Sequence, residues 1–304
     1  MSDPTDLQAA LRRFTPKHRF FVGIDSDGCA FDSMELKWKE CFIPALIRDF
    51  GLAAISRCAR ETSEFINLYS RHRGTNRFPS LILTLDLLKE RPEALKRGVD
   101  IPRLEGLRQW LSRETKLSNA VLKVEVEANG DPNLKRTLAW SLAVNQAIEE
   151  IVRDVPPFPY VRESLVEIGK QADIMVVSAT PGEALEREWR ENGLTDLVAV
   201  IAGQEMGSKS QVLRVAAAGK YDNNHILMIG DAPGDLAAAE SVGVLFYPIE
   251  PGHEEESWKW LLDEGLARFF AGTYAGDSMN DRVKRFQALL PDEPPWKTSR
   301  SIQD

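Results

Sequence analysis

Two carboxylates spaced two residues apart stand at the end of an apolar run near the start of the chain. The run at residues 19–25 predicts a β-strand, and Asp25 and Asp27 lie at its end. Alternate residues of an extended chain point the same way, so these side chains can face one ligand. Two carboxylates held together repel each other and need a cation or a shared proton. With Gly28 allowing the chain to turn away, the pattern predicts a magnesium site that contains a nucleophile.

Three later segments carry polar groups where a predicted strand ends or a predicted helix begins. They are Ser178-Ala179-Thr180, Gly207-Ser208-Lys209-Ser210 and Gly230-Asp231-Ala232-Pro233-Gly234-Asp235. In open parallel sheets, ligands bind beyond the carboxyl ends of the strands, so we expect these groups to converge. Carboxylates, a hydroxyl and a lysine together suit phosphoryl transfer, because magnesium neutralises the phosphate oxygens and a carboxylate can then attack.

The elements that position these residues are predicted by an alternation of strands and helices after residue 156. Short apolar runs at 172–178, 197–202, 225–230 and 244–248 alternate with stretches of helical periodicity. Such alternation is typical of βαβ units and of a parallel sheet that is covered on both faces. The predicted fold class is therefore α/β, with a Rossmann-like, doubly wound parallel sheet.

The segment between the first strand and residue 156 has a different pattern. Apolar residues recur at helical spacing from Met34 onward, and almost nothing in this segment is typical of a strand. Pro156-Pro157-Phe158-Pro159 then ends the helical pattern, since proline cannot continue a helix. We therefore predict an all-helical domain at 33–155, inserted into an α/β core made of 1–32 and 156–304.

Composition excludes several classes of protein. The chain has 304 residues, a net charge of −8 and three cysteines, Cys29, Cys41 and Cys58, without metal-type spacing. The acidic balance argues against a nucleic-acid or membrane-surface binder, and the cysteines indicate reduced thiols in a reducing compartment. No apolar run approaches membrane length, and the N-terminus has no signal-peptide pattern. We expect a cytoplasmic protein, and the sequence leaves monomer and homodimer open.

Taken together, the four motifs resemble those of the haloacid dehalogenase (HAD) superfamily, in the same order along the chain. The matching residues are Asp25-x-Asp27-Gly28, Ser178, Lys209 and Gly230-Asp231-x-x-x-Asp235. The helical insert between the first and second motifs resembles the C1-type cap of that superfamily in its position and helicity. The resemblance implies an α/β core, a cap and Mg²⁺ as cofactor.

The resemblance also implies a role for each matching residue. Asp25 would be the nucleophile that forms an aspartyl-phosphate, and Asp27 the general acid and then the general base. Ser178, or Thr180 in its place, would bind the transferring phosphoryl group, while Lys209 would hold Asp25 and the phosphate. The metal would be held by Asp25, Asp231 and the backbone carbonyl of Asp27, with Asp235 in support.

Substrate recognition is expected in the insert, where Tyr69-Ser70-Arg71-His72-Arg73-Gly74-Thr75-Asn76-Arg77 ends a helical stretch. Arginine side chains suit carboxylate or phosphate groups, so we predict that Arg73 or Arg77 binds substrate, with Arg71 as a further candidate. The competing interpretation is that these cations only complement a helix C-terminus. Glu35 and Lys39 are weaker candidates.

Three functions compete at this stage. Asp27 indicates an oxygen leaving group, since dehalogenases and phosphonatases of the superfamily lack a carboxylate there. The leading expectation is a Mg²⁺-dependent phosphatase for a small phosphorylated metabolite. A phosphomutase of the β-phosphoglucomutase kind is the alternative enzyme. A non-catalytic binding protein would have lost Asp25, Asp27 or Lys209, and all three are present.

Overall fold

The computed structural model describes residues 8–298 of the chain. It contains one five-stranded sheet in the order β3-β2-β1-β4-β5, and every neighbouring pair is parallel. The strands are β1 Phe20–Ile24, β2 Ala172–Val177, β3 Val200–Ala202, β4 Ile226–Gly230 and β5 Leu245–Pro248. Helices surround this sheet, which confirms the predicted α/β fold class.

Seventeen α-helices lie within the described residues. They are α1 Ala9–Arg13, α2 Ser33–Leu36, α3 Ile43–Asp49, α4 Ser56–Leu68, α5 Arg77–Lys89, α6 Pro92–Lys96, α7 Glu105–Leu111, α8 Asn119–Asn129, α9 Pro132–Ile151, α10 Val161–Ile168, α11 Gly182–Glu191, α12 Lys209–Ala216, α13 Pro233–Val242, α14 Glu254–Trp260, α15 Leu266–Phe270, α16 Asp277–Ala288 and α17 Pro295–Thr298. No described helix is both long and apolar enough to cross a membrane.

Strand β1 lies in the middle of the sheet because its side chains are apolar on both faces. Phe20, Val22 and Ile24 pack into one apolar cluster with Ile174 of β2, while Phe21 packs into a second cluster on the opposite face. This arrangement is the expected one for a parallel strand covered by helices on both sides. The carboxyl end of β1 therefore opens between its neighbours β2 and β4.

Strand β3 is shorter than the sequence pattern predicts. The pattern gave 197–202, but only Val200–Ala202 pairs with β2, and Thr195–Leu197 forms a turn of 3₁₀ helix. β3 is an edge strand with a partner on one side only, so fewer of its residues are held in extended form. Apolar sequence alone does not show where such a strand begins.

The chain divides into two compact units. The α/β unit contains the chain up to Ser33 together with Asp154–Leu290, and the helical unit contains Met34–Arg153 together with the chain from Pro291. The helical unit has its own core, in which Trp110 and Trp140 are almost fully buried.

The tail after Leu290 packs with the helical unit, whereas the sequence grouped it with the α/β core. The Trp296 ring lies 5.6 Å from the ring of Phe65, and the Arg91 guanidinium lies 4.4 Å from the Trp296 centroid. Lys297 pairs with Glu90 at 2.7 Å. The sequence could not show this, because a single partly buried tryptophan in contact with Phe65 and Arg91 leaves no periodic pattern. Residues 299–304, which the sequence analysis also assigned to the α/β core, lie outside the described residues.

Candidate active site

A tight loop at the carboxyl end of β1 carries the two carboxylates of the first motif. The Asp25 amide donates to the Ile229 carbonyl at 3.0 Å, so Asp25 is still held as part of the sheet. The carbonyl of Ser26 then accepts the amides of three residues in the turn, Cys29, Ala30 and Phe31. Gly28 has φ = 76°, a left-handed conformation that favours glycine. The turn therefore fixes Asp25 and Asp27 at the end of the central strand.

Asp25 is buried and shares a cation with Asp235. The Lys209 ammonium donates to Oδ2 of Asp25 and to Oδ1 of Asp235, and Asp25 is 5 % exposed. Burial raises the pKa of Asp25 to about 6, with Lys209 opposing the shift and Asp235 adding to it. Burial by itself lowers the pKa of Lys209, but Asp235 and Asp25 outweigh that effect and raise it. Lys209 is therefore charged at neutral pH.

Lys209 reaches this position because of how its helix begins. It is the first residue of α12, and the preceding Ser208 caps the helix by accepting the Gln211 amide. The Gln211 side chain in turn accepts the Ser208 amide at 2.8 Å, which completes a capping box. The helix start, and with it the base of the lysine side chain, is thus fixed by hydrogen bonds on both sides.

Three buried carboxylates form a group suited to a divalent cation. Asp25, Asp231 and Asp235 each offer an oxygen, and these oxygens all lie within 4.8 Å of one another. Asp235 is held close to the backbone by the Ala232 amide at 3.0 Å. A Cβ on Gly230 would lie 2.4 Å from the Asp235 carboxyl carbon, so only glycine fits there. An all-oxygen, anionic donor set is the one that Mg²⁺ prefers, and these residues fit that ion.

Asp27 has surroundings of a different kind. Its Oδ2 accepts the Thr180 hydroxyl at 2.6 Å, and its Oδ1 accepts the hydroxyl of the buried Ser33. The Asp27 side chain is not part of the three-carboxylate group, and the sequence analysis assigned only its backbone carbonyl to the metal. Two hydroxyl donors hold this carboxylate in one orientation beside the loop.

Ser178 and Thr180 follow strand β2, and they differ in what their hydroxyls do. The buried Ser178 uses its amide to bind the Ala202 carbonyl at 3.0 Å, and its oxygen accepts the Thr180 amide at 3.3 Å. The Thr180 hydroxyl donates to Asp27, whereas the sequence assigned it to substrate. Within the described chain, the Ser178 hydroxyl proton has no acceptor.

Ser26, between the two aspartates, is held by helix α11. The indole N–H of Trp189 donates to the Ser26 hydroxyl oxygen at 2.9 Å, and that hydroxyl donates to Glu188 at 3.1 Å. Sequence reasoning missed these contacts, as it missed Ser33. The available signal in the sequence was the polar residue Ser26, which directly follows the buried strand and lies between the two aspartates.

In the helical unit, the three candidate arginines have different surroundings. Arg71 is exposed and pairs with Asp292 of the tail at 2.5 Å. Arg73 is 3 % exposed and donates to the Leu68 carbonyl at 2.9 Å. Arg77, the first residue of α5, donates to Ser141 and to Asn145. The contacts described for these three arginines therefore go to different groups of the helical unit.

The weaker candidates Glu35 and Lys39 form a network with Tyr69. Glu35 accepts hydrogen bonds from the Lys39 ammonium and from the Tyr69 hydroxyl. Although burial raises the pKa of Glu35, these two hydrogen bonds outweigh it and lower that pKa. Lys39 lies in a π-helical turn at Lys37–Phe42, a feature often found at functional sites.

Comparison with models of protein families supports the resemblance that the four motifs indicate. Residues 113–248 match the family "haloacid dehalogenase-like hydrolase", which is somewhat less than half of the chain. The matched range contains Ser178, Lys209 and the fourth motif, while Asp25 and Asp27 lie before it. A comparison with curated proteins returned no match. The resemblance to the HAD superfamily is thereby confirmed over the second, third and fourth motifs.

Solved structures similar to this chain belong to the same superfamily. A haloacid dehalogenase-like hydrolase from Streptococcus pneumoniae is 12 % identical with a TM-score of 0.43, and covers 79 % of this chain and 90 % of its own. A HAD-superfamily hydrolase from Geobacter sulfurreducens is 17 % identical with a TM-score of 0.39, over 76 % and 88 % of the two chains. One from Ehrlichia chaffeensis is 16 % identical with a TM-score of 0.35, over 77 % and 89 %. Similarities of this size say nothing about the activity of this chain.

Proposed function

We propose that this chain is a Mg²⁺-dependent phosphatase that hydrolyses a small phosphorylated metabolite through an aspartyl-phosphate on Asp25. The observation that carries the proposal is the pair of aspartates at the end of β1. Asp25 is bound to Lys209 beside two further carboxylates, while Asp27, two residues on, accepts hydrogen bonds from the Thr180 and Ser33 hydroxyls. Two carboxylates with such different partners suit two different tasks, attack and proton transfer.

Magnesium, held by Asp25, Asp231 and Asp235, would neutralise phosphate oxygens and so lower the repulsion between substrate and the attacking carboxylate. Lys209 orients Asp25 and adds a second positive charge next to the transferring group. The Ser178 hydroxyl proton, which has no acceptor among the described residues, is available to a phosphoryl oxygen. These groups together position and stabilise the transferring phosphoryl group.

In the first step, a carboxylate oxygen of Asp25 bonds to phosphorus and the ester oxygen leaves. Asp27 donates its proton to that oxygen, so the alcohol departs neutral. In the second step, Asp27 takes a proton from water as the water oxygen bonds to phosphorus. The bond between phosphorus and the Asp25 oxygen breaks, which releases inorganic phosphate and restores the Asp25 carboxylate and the protonated Asp27 carboxyl.

A panel of phosphomonoesters with and without Mg²⁺ tests the proposal through released inorganic phosphate. We expect turnover of at least one ester that is abolished by EDTA and restored by Mg²⁺. Trapping with hydroxylamine during turnover is expected to convert the Asp25 carboxyl to a hydroxamate, detectable by peptide mass spectrometry. Phosphate release without modification of Asp25 would contradict the covalent step.

The same panel separates hydrolysis from phosphoryl migration. A phosphomutase converts one sugar monophosphate into its isomer and releases little free phosphate. If phosphorus NMR shows isomerised ester in large excess over inorganic phosphate, the protein is a mutase and the proposed hydrolysis is wrong. If no ester reacts under any condition and no Mg²⁺ binds, the chain is a binding protein that has kept the fold.

A further inference from the structure

Ser26 lies between the two aspartates of the first motif, and its main chain holds Asp25. The Ser26 amide donates to Oδ1 of Asp25 at 2.7 Å, while the other carboxylate oxygen, Oδ2, accepts the Lys209 ammonium. The direction of the Ser26 amide and the position of the lysine therefore set the plane of the carboxylate together. A rotation of the peptide group that carries this amide would leave the carboxylate held on one side only.

The Ser26 side chain is fully buried, and helix α11 uses both hydrogen-bonding functions of its hydroxyl. The indole N–H of Trp189 donates to the Ser26 oxygen at 2.9 Å, and the hydroxyl donates to Glu188 at 3.1 Å. A hydroxyl that accepts one bond and donates another is held in one rotamer. Because the side chain is short, these bonds also fix the Cα of Ser26 and the peptide group that carries its amide.

Trp189 is itself held firmly beside the same turn. Its side chain is fully buried, and its ring lies 5.7 Å from the ring of Phe31, edge to face. The turn runs from Ser26 to Phe31, since the Phe31 amide donates to the Ser26 carbonyl at 3.1 Å. The indole therefore contacts the turn at both of its ends. Loss of the indole N–H would remove a buried hydrogen bond from the residue that holds Asp25.

A second indole contacts the turn at another point. Trp258 of α14 is also fully buried, lies in the same apolar cluster as Trp189, and donates its indole N–H to the Cys29 carbonyl at 2.8 Å. Its acceptor lies three residues beyond Ser26, whereas the acceptor of Trp189 belongs to the residue whose amide holds Asp25. The two tryptophans thus differ chiefly in which residue of the turn they hold.

We propose that Trp189 and Glu188 are positioning residues for the nucleophile, and that they act through the Ser26 hydroxyl. By fixing Ser26, they keep its amide directed at Asp25, so that the carboxylate meets the phosphorus atom in one orientation. The inference rests on the proposed function for the step that needs this orientation. It assigns to helix α11 the alignment of the attacking group.

Steady-state kinetics with the best ester and Mg²⁺ test the assignment in Ser26→Ala, Trp189→Phe and the double variant. We expect each single change to lower kcat by about 10-fold or more, because the attacking group is misaligned, while KM stays within about 2-fold. Since both changes remove one bond, the double variant is expected to lose no more than the worse single variant. Glu188→Gln keeps an oxygen that can accept the Ser26 hydroxyl, so it should retain more activity than Glu188→Met.

Trp258→Phe is the matched control, because it makes the same substitution in the same apolar cluster and also removes an indole N–H from the turn. We expect it to lower the melting temperature about as much as Trp189→Phe, but to keep kcat within about 3-fold of wild type. Equal losses of kcat in the two tryptophan variants, or full activity of Ser26→Ala, would overturn the assignment. If Trp189→Phe does not fold, Ser26→Ala and the two Glu188 variants decide the question.

Beryllofluoride separates failure of this inference from failure of the proposed function. It binds to a carboxylate oxygen in place of a phosphoryl group, and ¹⁹F NMR in the presence of Mg²⁺ detects that binding without any ester. If no ester is hydrolysed but beryllofluoride binds wild type and Trp258→Phe about 10-fold more tightly than Trp189→Phe, the positioning role stands and the phosphatase proposal fails.

The opposite result is equally clear. If esters are hydrolysed and the two tryptophan variants behave alike in turnover and in beryllofluoride binding, the phosphatase proposal stands and the positioning role fails. A wild-type protein that neither hydrolyses an ester nor binds beryllofluoride would overturn both.

Discussion

The α/β unit and the helical unit arrange their charged side chains in opposite ways. At the carboxyl ends of the strands, Asp25, Lys209 and Asp235 come from distant parts of the chain and contact one another. In the helical unit, Arg71, Arg73 and Arg77 are neighbours in the sequence but have separate partners. A parallel sheet forces strand ends to one edge, whereas a helix end imposes no such convergence. Charge patterns therefore carry more information about a site when they follow strands.

The comparison is tested most severely at the nucleophile. Asp25→Asn keeps the size of the side chain but removes the attacking charge, and we expect kcat to fall by at least roughly 10³-fold. The measurement is phosphate release from the best ester of the panel, after calorimetry has shown that the variant is folded. Activity within a few-fold of wild type would show that Asp25 is not the nucleophile.

Asp27→Asn tests whether the two aspartates have different tasks. We expect kcat to fall by roughly 10²–10⁴-fold, the range of general acid–base catalysis, while Mg²⁺ affinity changes little because Asp27 lies outside the three-carboxylate group. Turnover and Mg²⁺ titration are measured on the same preparation. An ester with a very acidic leaving alcohol should be affected less, since that alcohol leaves without a proton. Loss of Mg²⁺ binding with retained turnover would reverse the assignment.

Lys209→Met and Arg77→Met compare the two kinds of cation directly. Removing Lys209 leaves Asp25 and Asp235 buried without their cation, and we expect the free energy of unfolding without Mg²⁺ to fall by about 3–5 kcal/mol. Removing Arg77 leaves no carboxylate unpaired, so we expect a change of about 1 kcal/mol or less. Urea denaturation measures both. A larger loss for Arg77→Met than for Lys209→Met would show that Arg77 is chiefly structural.

The smallest expected effect is a pH dependence of Mg²⁺ binding. Because burial raises the pKa of Asp25 to about 6 from 3.8, the carboxyl of the metal-free protein is protonated over a range where it would otherwise be charged. This proton stabilises the folded, metal-free protein fully below about pH 3.8, and the stabilisation is lost as the pH rises through about 6. Mg²⁺ needs the charged form, so its binding should release a fraction of a proton at pH 5.5 and almost none at pH 8.

Calorimetry in buffers of different ionisation enthalpy measures that proton release. Asp25→Asn serves as the control, because it cannot release the proton. Equal release at both pH values in wild type would mean that another group titrates with the metal.

The difference between strand ends and helix ends also explains which features of this molecule could be predicted from its sequence. The fold class and the meeting of Asp25, Lys209, Asp231 and Asp235 could be predicted, because they depend on strand order and on which residues follow each strand. The hydrogen bonds from the Ser33 and Thr180 hydroxyls to Asp27 could not, because they depend on side-chain rotamers at the start of α2 and in the loop after β2. The length of β3 and the separate partners of the arginines depend on packing that leaves no periodic signal in the sequence.

The tail that packs on the helical unit has a consequence for the biosynthesis of the protein. Residues 34–153 leave the ribosome well before Trp296, whose ring contacts Phe65 and the Arg91 guanidinium. Domains generally fold as they are synthesised, but the contacts of this unit with Trp296 cannot form until that residue has been translated. A fragment of residues 34–153 alone would expose the surface that Trp296 covers, and a stop codon shortly after Leu290 would produce the same defect in a chain whose α/β unit is intact.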